Sequence, residues 1–211
     1  MAYGIIRVRK LTASNLKSTE VHNFRLFDTL GIETPKNIKT EPEINAFGFK
    51  SYPRHKSKTH PDFSQDNIPG QRLRNLIDVQ LKERGIKPRS NSVLGLEYVV
   101  SASNEFFQHY SSDTFLEDAV KFIQDKHGAD NVLAVSYHHD ESTPHAHVVV
   151  LPTIEKTLKW KSRNGSGEKT KETLCADHFV GGRDKLRQLQ TDYHKFCTRF
   201  NRPEVQFHRG T

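Results

Sequence analysis

The sequence predicts an α+β fold: a central antiparallel β-sheet flanked by helices packed on one or both of its faces. Two observations lead there. Short runs rich in Val and Leu (92–101, 131–137, 145–152) have strand character and alternate along the chain with amphipathic helical stripes. The last two of these runs are separated by only seven residues, 138–144, a connection that suits an antiparallel pair.

The elements follow in order. Ala2 to Leu11 alternates loosely and reads as a first strand, and Thr12 to Asn15 as a turn. From Lys17 to Leu30, Val21, Phe24, Phe27 and Leu30 recur in three-residue steps, a helix that Gly31 ends. Glu33 to Pro69 contain five prolines and little periodicity, and read as a long loop with one short strand at Ile44 to Phe49. Gln71 to Gly85 is an amphipathic helix with Leu73, Leu76, Ile77 and Leu81 on one face. Ser92 to Ser101 is a strand. Asp113 to His127 is a helix with the stripe Phe115, Leu116, Ala119, Val120 and Ile123, closed by Gly128. Asn131 to Tyr137 and His145 to Pro152 are strands, Thr157 to Lys161 adds a short one, and Ser162 to Thr170 reads as a flexible basic loop. Gly182 to Phe200 is a long helix with Leu186, Leu189, Tyr193, Phe196 and Cys197 facing inward. No repeat and no linker composition divides the chain, so 1–211 reads as one domain.

Composition narrows the function. With 211 residues, 34% hydrophobic and 27% charged, the chain can bury a core. Its aliphatic runs are far shorter than the roughly 20 residues of a membrane span, and residues 1–20 lack the apolar segment of a signal peptide. Two cysteines, Cys175 and Cys197, read as reduced thiols of a cytoplasmic protein. The net charge of +7 is uneven: +8 over residues 1–90, −7 over 91–152 and +6 over 153–211. Basic flanks suit a polyanion such as nucleic acid. An acidic middle suits a metal or an acid/base centre.

That middle holds the most informative stretch, Tyr137 to His147, Y-H-H-D-E-S-T-P-H-A-H. His145 and His147 are two apart on a strand and point to one face. His138 ends the preceding strand, and folding the two strands together brings it beside them. Three imidazoles on one sheet face make a metal site with positions left open for water or substrate. The choice of His138 over His139 rests on strand parity alone. Asp140 or Glu141 could orient a ligand imidazole, and either could act as a base; the plainer reading of both is a charged turn. A second feature is His22-Asn23-Phe24-Arg25 on the first helix, where His22 and Arg25 share a face. His22 as nucleophile or base with Arg25 gripping a phosphate is one reading; a surface histidine and arginine is the plainer one.

On these residues the chain resembles the MobV-type plasmid mobilisation relaxases, also called the Mob/Pre or plasmid recombination enzymes, within the histidine–hydrophobic–histidine (HUH) endonuclease class. Their central motif, approximately H-x-D-E-x-x-P-H-x-H, is matched at every fixed position by His138 to His147, and their H-N-x-R motif by His22 to Arg25. Tyr3 to Leu11, Glu97 to Val100 and the Leu186-x-x-Leu-Gln helix are similar too. One departure stands out: an Asn-Tyr-Asp/Glu-Leu motif common in the family has only Asn45-Ala46-Phe47-Gly48 as its nearest counterpart here.

The resemblance implies a bacterial relaxase domain over 1–211, the N-terminal part of a longer protein, that nicks plasmid DNA at an origin of transfer and acts with the conjugation machinery. His138, His145 and His147 would hold a divalent metal, Mn2+ suiting three nitrogens better than Mg2+. His22 would attack the scissile phosphate to leave a phosphoramidate at the 5′ end, Glu141 would take or hold a ring proton, and Arg25 would steady the phosphate. Two rival readings explain less: a three-histidine metal hydrolase leaves the basic flanks and H-N-x-R unexplained, and a DNA-binding or replication-control module with a structural metal leaves the open positions of the site unexplained.

Overall fold

The structure, a computed structural model, describes residues 2–27, 30, 31, 33, 72–162 and 165–208. Its core is a four-stranded antiparallel sheet in the order β1-β2-β4-β3, formed by β1 (Gly4–Leu11), β2 (Gly95–Ala102), β3 (Val132–His138) and β4 (His145–Val150). The α+β expectation holds, and both faces are covered. Pleat alternation sorts the side chains. Ile6, Leu96, Tyr98, Val100, Val135, Ala146, Val148 and Val150 pack against α4 (Ser112–His127) and α6 (Gly182–Cys197). On the opposite face Leu11, Ala134 and Val149 pack with α1 (Leu16–Asn23) and α2 (Arg72–Glu83), through Leu16, Leu73, Ile77 and Leu81. Towards β3 and α1 this second face turns polar, and there Glu97, Ser101, Ser136, His138 and His147 are buried.

A register shift decides which residues share that polar face. Between Val132 and Ala134 the β3–β4 ladder slips by one residue. Beyond the slip Ser136 stands opposite His147 and His138 opposite His145. Without the bulge every later residue of β3 would face the other way, and His139 rather than His138 would join the pair.

Several boundaries differ from the sequence reading. The first helix runs only from Leu16 to Asn23, not to Leu30. It stops because Arg25 takes a left-handed backbone conformation, φ 51°, so His22 and Arg25 do not share a helical face. Of the basic loop expected at 162–170, the described residues are instead strand: β5 (Thr153–Ser162) pairs along its whole length with β6 (Gly165–Leu174) in a ribbon, and the short strand expected at 157–161 is only part of β5. Alternation is masked there because both faces of the ribbon carry polar residues. Leu186, expected inside, is 41% exposed. Two short helices, α3 (Asn104–Phe107) and α5 (Ala176–Val180), are too short for a periodic signal. The strand expected at Ile44 to Phe49 and the Asn45–Gly48 departure lie outside the described residues. Tyr193 is core, as its place on the apolar stripe predicts, and its hydroxyl donates to the Ser101 carbonyl. Cys175 and Cys197 are free thiols. No described helix is long and apolar enough to cross a membrane.

The α4/α6 face contains a buried histidine that makes stability depend on pH. His127 packs on Phe179 and is hydrogen-bonded through Nε2 to the Tyr98 hydroxyl at 2.8 Å. Burial, with Lys126 and His178 nearby, lowers its pKa to about 4. The neutral form is therefore the folded form. Above the unfolded value of about 6.5 the group costs nothing; as pH falls from there towards 4 the unfolded chain gains a proton the folded chain refuses, and up to about 3 kcal/mol of stability is lost. Urea unfolding at pH 7.5 and pH 5 should show this decline, and His127→Gln, which cannot titrate, should remove this residue's share of it, leaving the share of the other buried histidines.

Candidate metal and catalytic centre

The centre is built on the polar face of the sheet, where β3 and β4 meet the end of α1. His138 closes β3, His145 opens β4, and His147 follows on the same face. The His138–His145, His138–His147 and His145–His147 ring centroids are 5.0, 4.6 and 5.0 Å apart. His22, from the last turn of α1, stands over them, 5.5 Å from His138 and 5.1 Å from His147 between centroids. One nitrogen from each of the four rings falls within 4.8 Å of all the others.

The outward nitrogen of each sheet histidine has its own acceptor. His138 Nε2 meets the Asn23 carbonyl at 2.9 Å, His145 Nδ1 the Thr143 carbonyl at 2.9 Å, and His147 Nδ1 the Glu97 carboxylate at 3.0 Å. Carbonyls and carboxylates only accept, so each of these nitrogens carries the proton. The other three nitrogens then present lone pairs to a common point. His138 Nδ1 and His145 Nε2 face each other at 3.3 Å, and the buried His147 Nε2 has no partner. Protonation does not relieve the opposition: burial and the neighbouring His147 lower the His138 pKa to about 2, and burial lowers that of His145. Three converging imidazole lone pairs with fixed tautomers fit a divalent cation of borderline softness.

Sequence reasoning missed the partners that hold this arrangement. Glu97 lies on β2, diagonal to His147 across the ladder, and is 3% exposed. It also accepts from Asn23 Nδ2 at 2.8 Å and from Arg9 Nε at 2.9 Å, while Arg9 Nη2 donates to Thr19. Burial alone would raise the Glu97 pKa, but the His147 contact, Asn23 and Arg9 together depress it to about 2. A single glutamate in an apolar strand is the signal the sequence offers. Asn23 and Thr143 contribute through backbone carbonyls, which no residue type advertises.

Asp140 and Arg25 pair with each other. Asp140 orients no imidazole among the described contacts. It pairs with Arg25, which donates from Nε and Nη2 to the two carboxylate oxygens at 2.7 Å each. Burial opposes ionisation of Asp140, but the Arg25 bonds outweigh it and its pKa is lowered. Arg25 Nη2 also reaches Glu141 Oε1 at 2.7 Å, and Nη1 donates to the His22 carbonyl at 3.0 Å. The guanidinium thus ties the 140–141 turn to the end of α1. Glu141 Oε1 lies 3.7 Å from His22 Nε2, 3.9 Å from His138 Nδ1 and 4.0 Å from His145 Nε2. His22 is 37% exposed, and burial, His147 and Arg25 lower its pKa to about 4, so it is a neutral imidazole at pH 7. His139 points elsewhere, to Asp113 at 3.1 Å.

Comparisons with known proteins agree with this architecture. The chain is 27% identical over 169 residues to a plasmid recombination enzyme of Bacillus sp, covering 77% of this chain and 36% of that protein. It is 28% identical over 165 residues to one of Streptococcus agalactiae, covering 77% and 30%. It therefore spans about a third of the length of these curated relatives. Among solved structures it is similar to the Mn-bound MobM relaxase domain in complex with plasmid pMV158 oriT DNA, with TM-score 0.65 and 23% identity over 99% of this chain and 90% of that one. At that identity the likeness shows the shared fold. The sequence profile of the plasmid recombination enzymes matches residues 1–211, and the chain belongs to that family.

Proposed function

We propose that this chain is a metal-dependent DNA-nicking and strand-transfer domain, a relaxase, acting at a plasmid origin of transfer through a covalent phosphohistidine at His22. The observation that carries the reading is a neutral, half-exposed imidazole standing over a three-histidine cluster whose lone pairs converge. His138, His145 and His147 would hold the metal, and the Mn-bound MobM structures favour manganese. When bound, the ion would supply charge neutralisation at a non-bridging phosphate oxygen.

The chain's own residues account for the rest. His22 attacks phosphorus through the ring nitrogen that carries the lone pair. The P–O3′ bond breaks, its electron pair leaves with the 3′ oxygen, and a proton from solvent water completes a free 3′-OH. The opposite ring nitrogen sheds its proton, which the Glu141 carboxylate, 3.7 Å from Nε2, takes through one bridging water. The product is a phosphoramidate on the 5′ end. Because that bond is reactive, a 3′-OH can attack it in turn and reseal the strand. Arg25 acts by holding Asp140 and Glu141 in place. Partners beyond the DNA, including conjugation machinery, and a cytoplasmic location follow from the same reading.

The test is cleavage of labelled single-stranded oligonucleotides covering the cognate origin, with and without Mn2+, resolved on denaturing gels. Wild type should give a free 3′-OH fragment and a covalent 5′ adduct only with metal. His22→Ala should lose the adduct entirely and keep DNA binding. An adduct that survives in His22→Ala would move the nucleophile elsewhere; metal binding without cleavage would favour a binding module.

A further inference from the structure

His22 sits on a helix with few apolar anchors. α1 is eight residues long, and Leu16 and Val21 are its two apolar side chains. A helix of that length does not persist on its own in water. At its C-terminal turn the buried contacts are polar instead. Thr19, Glu20 and Asn23 are buried there. Glu20 accepts the Leu73 N–H at the start of α2 at 2.8 Å, which leaves Asn23 to meet the histidines.

The Asn23 backbone carbonyl accepts from His138 Nε2 at 2.9 Å. Its side-chain amide donates through Nδ2 to Glu97 Oε1 at 2.8 Å, and the same oxygen accepts from His147 Nδ1 at 3.0 Å. The other Glu97 oxygen accepts from Arg9 Nε, and Arg9 Nη2 donates to Thr19, one turn back on α1. A single residue, next in sequence to His22, thus holds the outer side of two of the three sheet histidines: His138 directly, His147 through Glu97. The amide orientation is fixed, because a carboxylate only accepts. Asn23 Oδ1 is left buried with no hydrogen-bond partner among the described residues. An unsatisfied buried carbonyl costs stability, and alanine is the better helix former, so α1 by itself gains nothing from an asparagine here. What the side chain provides is the link to Glu97.

The histidine nitrogens on the inner side are in opposition: His138 Nδ1 faces His145 Nε2 at 3.3 Å, and His147 Nε2 is unpartnered. A divalent cation held by the three lone pairs turns that opposition into attraction, and His138 and His147 share in the gain. Both rings are tied to Asn23 on their far sides. We infer that Asn23 is a positioning residue that couples the two halves of the centre: filling the three-histidine site firms the turn of α1 that carries His22, and a well-placed α1 tightens metal binding by the same factor. The coupling rests on the roles proposed above for His22 and the three histidines, and its test needs neither DNA nor nicking.

Hydrogen exchange of the full chain, with and without Mn2+, reads the coupling first in the wild type. The Phe24 N–H bonds to the Glu20 carbonyl at 3.0 Å and the Leu26 N–H to the Val21 carbonyl at 2.9 Å, so these two amides report on the last turn. Saturating Mn2+ should slow their exchange by about fivefold or more, the lower end of an ordinary coupling between sites. Asn23→Ala should lose most of that protection and weaken Mn2+ binding, measured by titration calorimetry, by roughly tenfold or more. Asn23→Asp, which sets a second carboxylate against Glu97, should recover neither. Asn23→Ala/Glu97→Gln should bind no more weakly than the weaker of its two single variants, because both substitutions break one chain of contacts. An asparagine that only supports the helix would instead loosen α1 equally with and without metal, and its loss would add to that of Glu97→Gln. Wild-type amides that bound Mn2+ leaves unprotected, or additive losses of affinity, overturn the coupling and leave the nicking proposal standing. Mn2+-dependent protection lost in Asn23→Ala upholds the coupling even in a chain that nicks no origin. No Mn2+ binding by the wild type overturns both the coupling and the metal dependence proposed above.

Discussion

Arg25→Ala is expected to destabilise the protein by about 3–5 kcal/mol, the cost of leaving a buried charge without its partner. Arg25 and Asp140 are 11% and 1% exposed, and their two hydrogen bonds are parallel and bidentate. Removing the guanidinium strands the Asp140 carboxylate in a site that burial already disfavours for a charge. It also frees Glu141 from the guanidinium and unties the turn from the end of α1. Arg25→Lys should recover little, because a point charge cannot serve both Asp140 oxygens and Glu141 at once. Arg25→Ala/Asp140→Asn removes the stranded charge and should regain a large part of the loss. Urea denaturation of the three variants measures this directly. A loss below 1 kcal/mol for Arg25→Ala, well short of the usual cost of breaking a buried pair, would mean that solvent reaches the pair. Loss of stability shared by Arg25→Ala and Arg25→Lys but repaired in the double variant is the pattern a phosphate-gripping arginine would not give.

The same residue shows what the sequence can and cannot convey. Alternation and apolar stripes make the sheet and the helices α2, α4 and α6 legible, because each buries one face against a partner. H-x-D-E-x-x-P-H-x-H makes the histidine cluster legible, because residues two apart on a strand must share a face. Arg25 is misleading because a stripe through Phe24, Phe27 and Leu30 continues a helix on paper, whereas the backbone turns left-handed at Arg25. Strand parity selects His138 over His139, and that selection depends on a bulge between Val132 and Ala134 which no residue type marks. The β5–β6 ribbon is hidden for the opposite reason: with both faces in solvent, it needs no alternation. Chemistry carried by side chains is readable from residue types; chemistry carried by carbonyls and register is not.

Glu97 is where those two kinds of information meet, and Glu97→Gln is expected to weaken metal binding by roughly 10- to 100-fold, the usual cost of removing an outer carboxylate from a ligating histidine. The carboxylate accepts from His147 Nδ1 at 3.0 Å, which fixes Nε2 as the unprotonated nitrogen and makes it a stronger donor. Glutamine can still accept one hydrogen bond, but it has no charge to polarise the ring, and it cannot at the same time satisfy Arg9 and Asn23 as the carboxylate does. Its amide can also turn its NH2 towards Nδ1, which would favour the opposite tautomer and place a proton on Nε2, inside the metal site. Titration calorimetry with Mn2+ and the intensity of the free Mn2+ electron paramagnetic resonance signal both read this without any nicking assay. Thermal unfolding without metal separates it from a general loss of structure. A variant that unfolds like wild type and binds Mn2+ roughly 10- to 100-fold more weakly assigns Glu97 to positioning His147. Unchanged affinity would mean that the strand pairing of β2 with β4 suffices to hold the imidazole.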